Sequence, residues 1–197
     1  AQTVNRIVER TVERVVPGGQ TASVITREKT VVVKESDLIS DAVGRVSPSV
    51  ARIYTRGAEQ VFLGFGVVLD ASGMIASDSN ALGEDNADAE IALSDGTRVH
   101  AFVTERNSDS GIAFLQSATT TAEGKALVFK ASVVALKQPV LGQTVIAFSG
   151  KTISRIADGI VTALIPRVVN GSRMDVIDTN IPGDTTYPGT ILANTDG

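Results

Sequence analysis

Two adjacent hydroxyl side chains, Thr185 and Thr186, lie near the end of the sequence, and a hydroxyl becomes a useful nucleophile only beside a general base. The 197-residue sequence contains a single histidine, His100. It lies in residues 96–104, where Val99 and Ala101 alternate with more polar positions, as expected of a strand with one buried face. This pattern predicts that His100 is an exposed strand residue rather than a catalytic base. The hydroxyls are therefore present without an evident base.

Four segments around these residues follow one another in a characteristic order. They read GFGVVLDASGMIASDSNAL from residue 64, LSDG from residue 93 with NSDSGIAFL from residue 107, LGQTVIAFSG from residue 141 with DGIVTAL from residue 158, and IPGDTTYPGTILANTDG from residue 181. The series resembles the HtrA-type branch of the trypsin-like serine proteases, whose corresponding segments contain TNAHVV, D-x-x-x-D-L-A-V-L, G-x-x-V-x-A-I-G with G-I-V-S-A, and G-N-S-G-G-P-L-V-N-x-D-G. The resemblance runs from about Ser49 to Gly197. It implies an all-β, trypsin-like double β-barrel.

The resemblance also identifies the positions where the protease chemistry would lie. Asn80 stands in place of the catalytic histidine, Gly111 in place of the aspartate and Pro188 in place of the serine, while Thr186, Tyr187 and Pro188 correspond to the oxyanion loop. A carboxamide does not accept a proton near neutral pH, and glycine has no side chain to orient a base. Proline also lacks the backbone N–H that would be one oxyanion donor. The resemblance therefore implies a pseudoprotease with a degenerate triad.

A second register remains open. If Pro182 and Gly183 align with the family's P-G-N-S, Thr185 or Thr186 lies near the nucleophile, and the chain is an active serine-type endopeptidase. Such a threonine would still lack a base.

Composition is typical of a globular β protein. Strands are predicted at residues 50–54, 61–69, 74–77, 89–93, 98–105, 112–116, 144–148, 153–165 and 174–179, which are rich in Val, Ile and Thr. The formal net charge is −4, with no basic stripe, which argues against nucleic acid binding. The sequence has no cysteine, and with one histidine a zinc site is not expected. We expect no cofactor and no metal.

Two further motifs resemble ligand-binding sites in composition. The carboxylates of residues 84–90 could bind calcium, but they lack the ligand order of a calcium loop and are interpreted as a solvated turn. Gly64 and Gly66 are interpreted as a bend between packed strands rather than a phosphate cradle, because no helix signal follows them.

The first 48 residues differ from the rest and are predicted to form an N-terminal arm and linker, ahead of a first barrel at 49–120 and a second barrel at 121–197 that is either closed differently from the family's or incomplete. Val4, Val8, Val12 and Val15 have helical spacing, which predicts an amphipathic helix that ends at Pro17, although their β-branched side chains also permit a strand. A strand is predicted at residues 30–34 and an N-capped helix from Ser36–Asp37 onwards.

The most direct functional expectation is an extracytoplasmic, HtrA-like pseudoprotease that binds a peptide or protein, or acts as a scaffold. A periplasmic or cell-surface location and a membrane tether outside the present sequence are expected from the resemblance. Homo-oligomer formation is expected if a missing strand leaves unpaired edges that a second copy can fill. The alternatives are the active endopeptidase described above and a structural stalk or assembly domain driven by the arm.

Overall fold

A computed structural model describes residues 4–11, 27–83, 87–134, 137–169 and 171–196. Most elements in these ranges are strands, accompanied by one helix, α1 (Glu35–Val46), and two short 3₁₀ turns. The strands are β1 Val4–Thr11, β2 Arg27–Lys34, β3 Val50–Tyr54, β4 Phe62–Val68, β5 Met74–Asp78, β6 Asp88–Ala92, β7 Arg98–Asn107, β8 Ile112–Ser117, β9 Thr144–Ser149, β10 Arg155–Val169, β11 Ser172–Thr179 and β12 Ile191–Asn194. The chain divides into two compact units, residues 1–40 and 41–197.

The first unit contains an antiparallel pair of strands. Residue Val4 on β1 lies opposite Lys34 on β2, and Thr11 lies opposite Arg27. The amphipathic helix predicted here is therefore wrong for residues 4–11, which form a strand. β-Branched residues favour an extended backbone, and pairing with β2 satisfies the backbone groups that a helix would have satisfied internally. The rest of the predicted apolar stripe, Val12 and Val15, lies outside the described residues.

Two other elements predicted in the first 48 residues are observed. The strand predicted at residues 30–34 is the second half of β2, and the helix predicted from Ser36 onwards is α1. The predicted N-cap is wrong, because α1 begins at Glu35 and Ser36 lies inside the helix. Glu35 and Asp37 in the first turn of α1 and Arg45 in its last turn complement the helix dipole.

The first half of the second unit is a closed barrel with the strand order β3-β4-β5-β8-β7-β6, in which all neighbours are antiparallel. Buried residues alternate along β3, β5 and β8, as predicted, and the core is mostly aliphatic. Its largest fully buried members are Ile53, Ile75, Leu82, Ile91, Leu115 and Val68, and Phe129 also packs in it. Val99 and Ala101 belong to the same core, which places His100 between them on the outer face.

The remaining strands form a four-stranded sheet with the order β11-β10-β9-β12. The predicted strands at residues 144–148, 153–165 and 174–179 correspond to β9, β10 and β11, whereas β12 was not predicted. A second closed barrel is not confirmed, because the described strands of this half form an open sheet. The architecture is consistent with a trypsin-like fold.

Candidate functional site

Asn80 lies in the turn that follows β5. The Asp78 carboxylate accepts a hydrogen bond from the Asn80 backbone N–H at 2.8 Å, which fixes the turn. The preceding backbone N–H, that of Ser79, donates to the carbonyl oxygen of Gly111 at 2.9 Å. Gly111 belongs to the turn between β7 and β8, and its own N–H donates to the Asn107 carbonyl at 2.9 Å. The Asn80 turn and the Gly111 turn are therefore held side by side.

Pro188 lies against the same side of the barrel. Its carbonyl oxygen accepts a hydrogen bond from the backbone N–H of Phe65 on β4 at 3.0 Å. Gly64, the neighbouring residue on β4, touches both loops: a Cβ atom there would collide with the Pro188 carbonyl oxygen and would lie 3.1 Å from the Cβ of Ala81. The predicted bend at Gly64 is thus a close contact between three chain segments.

The structure therefore brings together the three positions that the sequence singled out. Asn80 and Pro188 are both exposed, and Gly111 is partly exposed. These positions are far apart in the sequence, and their proximity in the fold defines the candidate site. Their correspondence to catalytic positions stays a prediction.

The backbone N–H groups of the loop around Pro188 are already engaged. The N–H of Thr186 donates to the Gly183 carbonyl at 3.3 Å as the last bond of the 3₁₀ turn Gly183–Thr185. The N–H of Tyr187 donates to the Thr190 hydroxyl at 2.9 Å. Pro188 has no N–H to offer. None of the three predicted oxyanion-loop residues therefore presents a free backbone donor in this conformation.

The two threonine hydroxyls of the alternative register are also bound within the loop. Thr185 Oγ1 donates to the Pro182 carbonyl at 2.7 Å, and Thr186 Oγ1 donates to the Gly183 carbonyl at 3.1 Å. Both oxygens thus bond to backbone carbonyls, which cannot accept the proton of an attacking hydroxyl.

His100 is placed elsewhere on the barrel. Its Nε2 lies 2.9 Å from Asp88 Oδ2 on β6, and its ring packs edge-on against Phe102 at a centroid distance of 4.2 Å. On β7, seven residues separate His100 from Asn107, beside the Gly111 turn, which is roughly 23 Å of extended strand at 3.3 Å per residue. The structure therefore places His100 away from Asn80, Gly111 and Pro188. This agrees with the prediction that His100 is a strand residue rather than a catalytic base.

Asp88 belongs to a network of ion pairs on the surface of the barrel. Its carboxylate pairs with the Arg56 guanidinium at 2.8 Å as well as with His100, and Glu90 pairs with Arg98 at 2.9 Å. The hydrogen bond from Arg56, followed by that from His100, lowers the pKa of Asp88. No group of three or more potential metal ligands occurs among the described residues, and residues 84–86 lie outside them.

This lowered pKa has a consequence for stability at acid pH. A carboxylate whose pKa is lower in the folded state stabilises the fold fully above its ordinary value of 3.8 and loses this contribution as the pH falls through the lowered value. We therefore expect Asp88→Asn to destabilise the protein at pH 7 and to lose this effect towards pH 2. Urea unfolding of both proteins across this range measures the difference, with Asp175→Asn on β11 as an exposed control. A difference that stays constant with pH would contradict the assignment.

Sequence reasoning missed an aromatic and cationic cluster beside Pro188. The Tyr187 ring packs edge-on against Phe62 at 5.6 Å, and Phe62 packs against Phe65 at 5.2 Å. The Lys151 ammonium lies 5.0 Å from the centre of the Tyr187 ring and 5.9 Å from that of Phe62. Only the clustering of Tyr54, Phe62 and Phe65 in a chain poor in aromatic residues could have signalled it.

A groove begins at this cluster, and we call it the inter-sheet groove. One part has a volume of about 570 Å³ and is bounded by residues 149–153 and 155–157 and by Asp184, Thr185 and Tyr187. A second part, of about 330 Å³, shares Ser149, Arg155 and Ile156 with the first and reaches Arg52 and Phe65 of the barrel. The two parts adjoin through these shared lining residues, and the first lies directly beside the loop that contains Pro188.

Comparison with known proteins gives information on the fold. No family model matches the sequence, and no curated protein matches it. Among solved structures, the chain is similar to the crystal structure of the serine endoprotease from Yersinia pestis, with a TM-score of 0.63 and 19% sequence identity. The match covers 79% of this chain and 53% of that one, so this chain spans about half the length of that structure. At this identity the likeness establishes a fold related to trypsin-like proteases.

In the parts of the chain that the structure describes, no helix is both long and apolar enough to cross a bilayer.

Proposed function

We propose that this chain is a catalytically inactive, HtrA-like relative of the trypsin-like serine proteases that binds extended peptides in the inter-sheet groove. The observation that carries the proposal is the hydrogen bonding of the backbone N–H groups in the loop Gly183–Thr190. Its N–H groups at Thr186 and Tyr187 are bonded inside the loop, and Pro188 provides none. An oxyanion needs preorganised donors directed at it, and removal of a single such donor costs about 10²- to 10³-fold in rate.

The absence of a base at this site supports the same proposal. The single histidine of the sequence pairs with Asp88 on the outer face of the barrel. Asn80, at the position the resemblance gives to the base, carries a carboxamide. The alternative in which Thr185 or Thr186 is the nucleophile of an active endopeptidase requires a base that neither hydroxyl contacts.

Peptide binding is favoured because it does not depend on the catalytic groups. Backbone hydrogen bonds and side-chain pockets recognise extended peptides in many folds that perform no chemistry. The inter-sheet groove combines apolar side chains, such as Ile153 and Ile156, with hydroxyl and cationic groups. We further propose an extracytoplasmic location with a membrane tether, on the basis of the HtrA-like sequence pattern. A stalk role is the alternative favoured by the separate compact unit at residues 1–40.

Covalent labelling with a fluorophosphonate probe, together with casein turnover, tests the proposed inactivity. We expect no labelling and no turnover above that of the double variant Thr185→Ala, Thr186→Ala. Turnover that this double variant abolishes would establish the active alternative. Titration with extended apolar peptides should shift the amide signals of Asp184, Thr185 and Tyr187. Saturating peptide without such shifts would favour the stalk role, which measurement of the mass with and without residues 1–35 would then examine.

A further inference from the structure

The inter-sheet groove has an unusual charge for this protein. Its lining includes three cationic side chains, Arg52, Lys151 and Arg155, and a single carboxylate, Asp184. The whole chain carries a formal charge of −4. A concave surface of one sign in a protein of the opposite net charge concentrates ligands of complementary charge.

The ammonium group of Lys151 is positioned but not neutralised. It faces the Tyr187 ring at 5.0 Å, while the Lys151 backbone carbonyl accepts a hydrogen bond from the Tyr54 hydroxyl at 3.2 Å. An aromatic face attracts a cation without removing its charge. The ion pairs found in the described ranges use Arg56, Arg98 and His100, so neither Lys151 nor Arg155 has a carboxylate partner there.

The guanidinium of Arg52 is fixed in a similar way. Its Nε donates to the Gly150 carbonyl at 3.0 Å, and its Nη2 donates to the Ser154 hydroxyl at 2.9 Å. These partners are neutral, and a guanidinium has five N–H donors, so further donors remain for an anion. Arg52 also holds the segment of residues 150–154 that carries Lys151 against the barrel.

From this arrangement we infer that the inter-sheet groove binds an acidic peptide segment, whose carboxylates pair with Lys151 and Arg155. The inference deepens the proposed function and rests on it. Carboxylates are complementary to both groups, since Arg binds them with paired hydrogen bonds and Lys as a point charge. The first part of the groove, of about 570 Å³, is lined by both Lys151 and Arg155, so one extended segment lying in it can place one carboxylate near Lys151 beside Tyr187 and another near Arg155.

Three peptides of equal length, rich in glutamate, glutamine or lysine, test the inference by titration and amide shift mapping at low salt. We expect the glutamate peptide to bind about tenfold more tightly than the glutamine peptide, and added salt to reduce this preference. The double variant Lys151→Gln, Arg155→Gln should abolish the preference. Asp184→Asn should strengthen binding of the glutamate peptide, because it removes the repelling carboxylate. Lys125→Gln, an exposed lysine outside the groove, is the matched control and should change nothing.

The outcomes separate the inference from the proposed function. Equal binding of the glutamate and glutamine peptides in the groove would overturn the acidic preference and leave peptide binding intact. Absence of groove shifts with all three peptides would overturn both. Inorganic phosphate that displaces the glutamate peptide at similar concentration would show a small-anion site and also overturn the inference. A spectrum of the double variant that matches the unmodified protein outside the groove shows that its fold is retained.

Discussion

Replacing Gly189 with alanine should destabilise the protein by about 3 kcal/mol or more. The φ angle of Gly189 is +73°, a left-handed backbone that costs a residue with a Cβ atom roughly 1 to 3 kcal/mol. The added Cβ would also collide with the carbonyl oxygen of Phe65 and lie 2.9 Å from its carbonyl carbon. Because both partners are backbone atoms, neither can rotate away, and the loop must separate from β4.

A matched control isolates the collision from the backbone strain. Gly142 has nearly the same φ angle, +78°, but a Cβ atom there would meet nothing within 4 Å. Gly142→Ala should therefore cost only the conformational part, about 1 kcal/mol. Urea unfolding of the two variants measures both values. Equal destabilisation would mean that the contact between Gly189 and Phe65 contributes nothing.

The Gly189 contact also attaches the loop to the barrel. The Phe65 N–H that donates to Pro188 and the Phe65 carbonyl that abuts Gly189 belong to one residue of β4. The loop therefore takes its position from the first barrel, and Tyr187 packs onto Phe62 of the same strand. The shape of the inter-sheet groove depends on this attachment.

The strands of the barrel could be predicted because their signals are local. Alternation such as Val99, His100 and Ala101 reports which side of a strand faces the core. The three positions Asn80, Gly111 and Pro188 could be grouped only through a resemblance in motif order, since no local pattern links residues so far apart. The same resemblance predicted a second barrel, and the described strands of that half form an open four-stranded sheet that does not confirm it.

The helical arm illustrates how a short periodic pattern fails. Apolar residues at Val4, Ile7 and Val8 fit a helix, yet β-branched residues fit a strand equally well. The deciding interaction is the pairing of β1 with β2, whose first residue, Arg27, lies 16 positions beyond the end of β1. A sequence pattern that covers fewer residues than this separation cannot reveal such a pairing.

The partners of the charged residues were hidden for a related reason. The carboxylates of residues 84–90 were interpreted as a solvated turn, whereas the Asp88 carboxylate contacts Arg56 and His100 on other segments. Nothing in the sequence around Lys151 indicates that the fold places Tyr187 beside it. Sequence therefore predicted the candidate site through resemblance, but not the charged side chains that line the groove next to it.

The final prediction is that one substitution will not create a protease. Pro188→Ser would add a hydroxyl and a backbone N–H, but Asn80 would still be unable to accept the proton. Members of a catalytic triad act as a unit, and in a serine protease loss of the histidine alone costs about as much as loss of all three, on the order of 10⁶-fold. We therefore expect Pro188→Ser to show no casein turnover above the unmodified protein.

The triple variant Asn80→His, Gly111→Asp, Pro188→Ser should regain at most weak activity, and the structure gives the reasons. Space exists for an aspartate at position 111, where a Cβ atom would meet nothing within 4 Å, but the φ angle of +72° strains it. The larger obstacle is the loop, because the Thr186 N–H already donates to Gly183 within the 3₁₀ turn. A second oxyanion donor would require this turn to open. Restoring the three side chains would therefore still leave the oxyanion hole without its second backbone N–H. Turnover of casein by Pro188→Ser alone would contradict both arguments, since it would require a base other than residue 80 and a second oxyanion donor other than the Thr186 N–H.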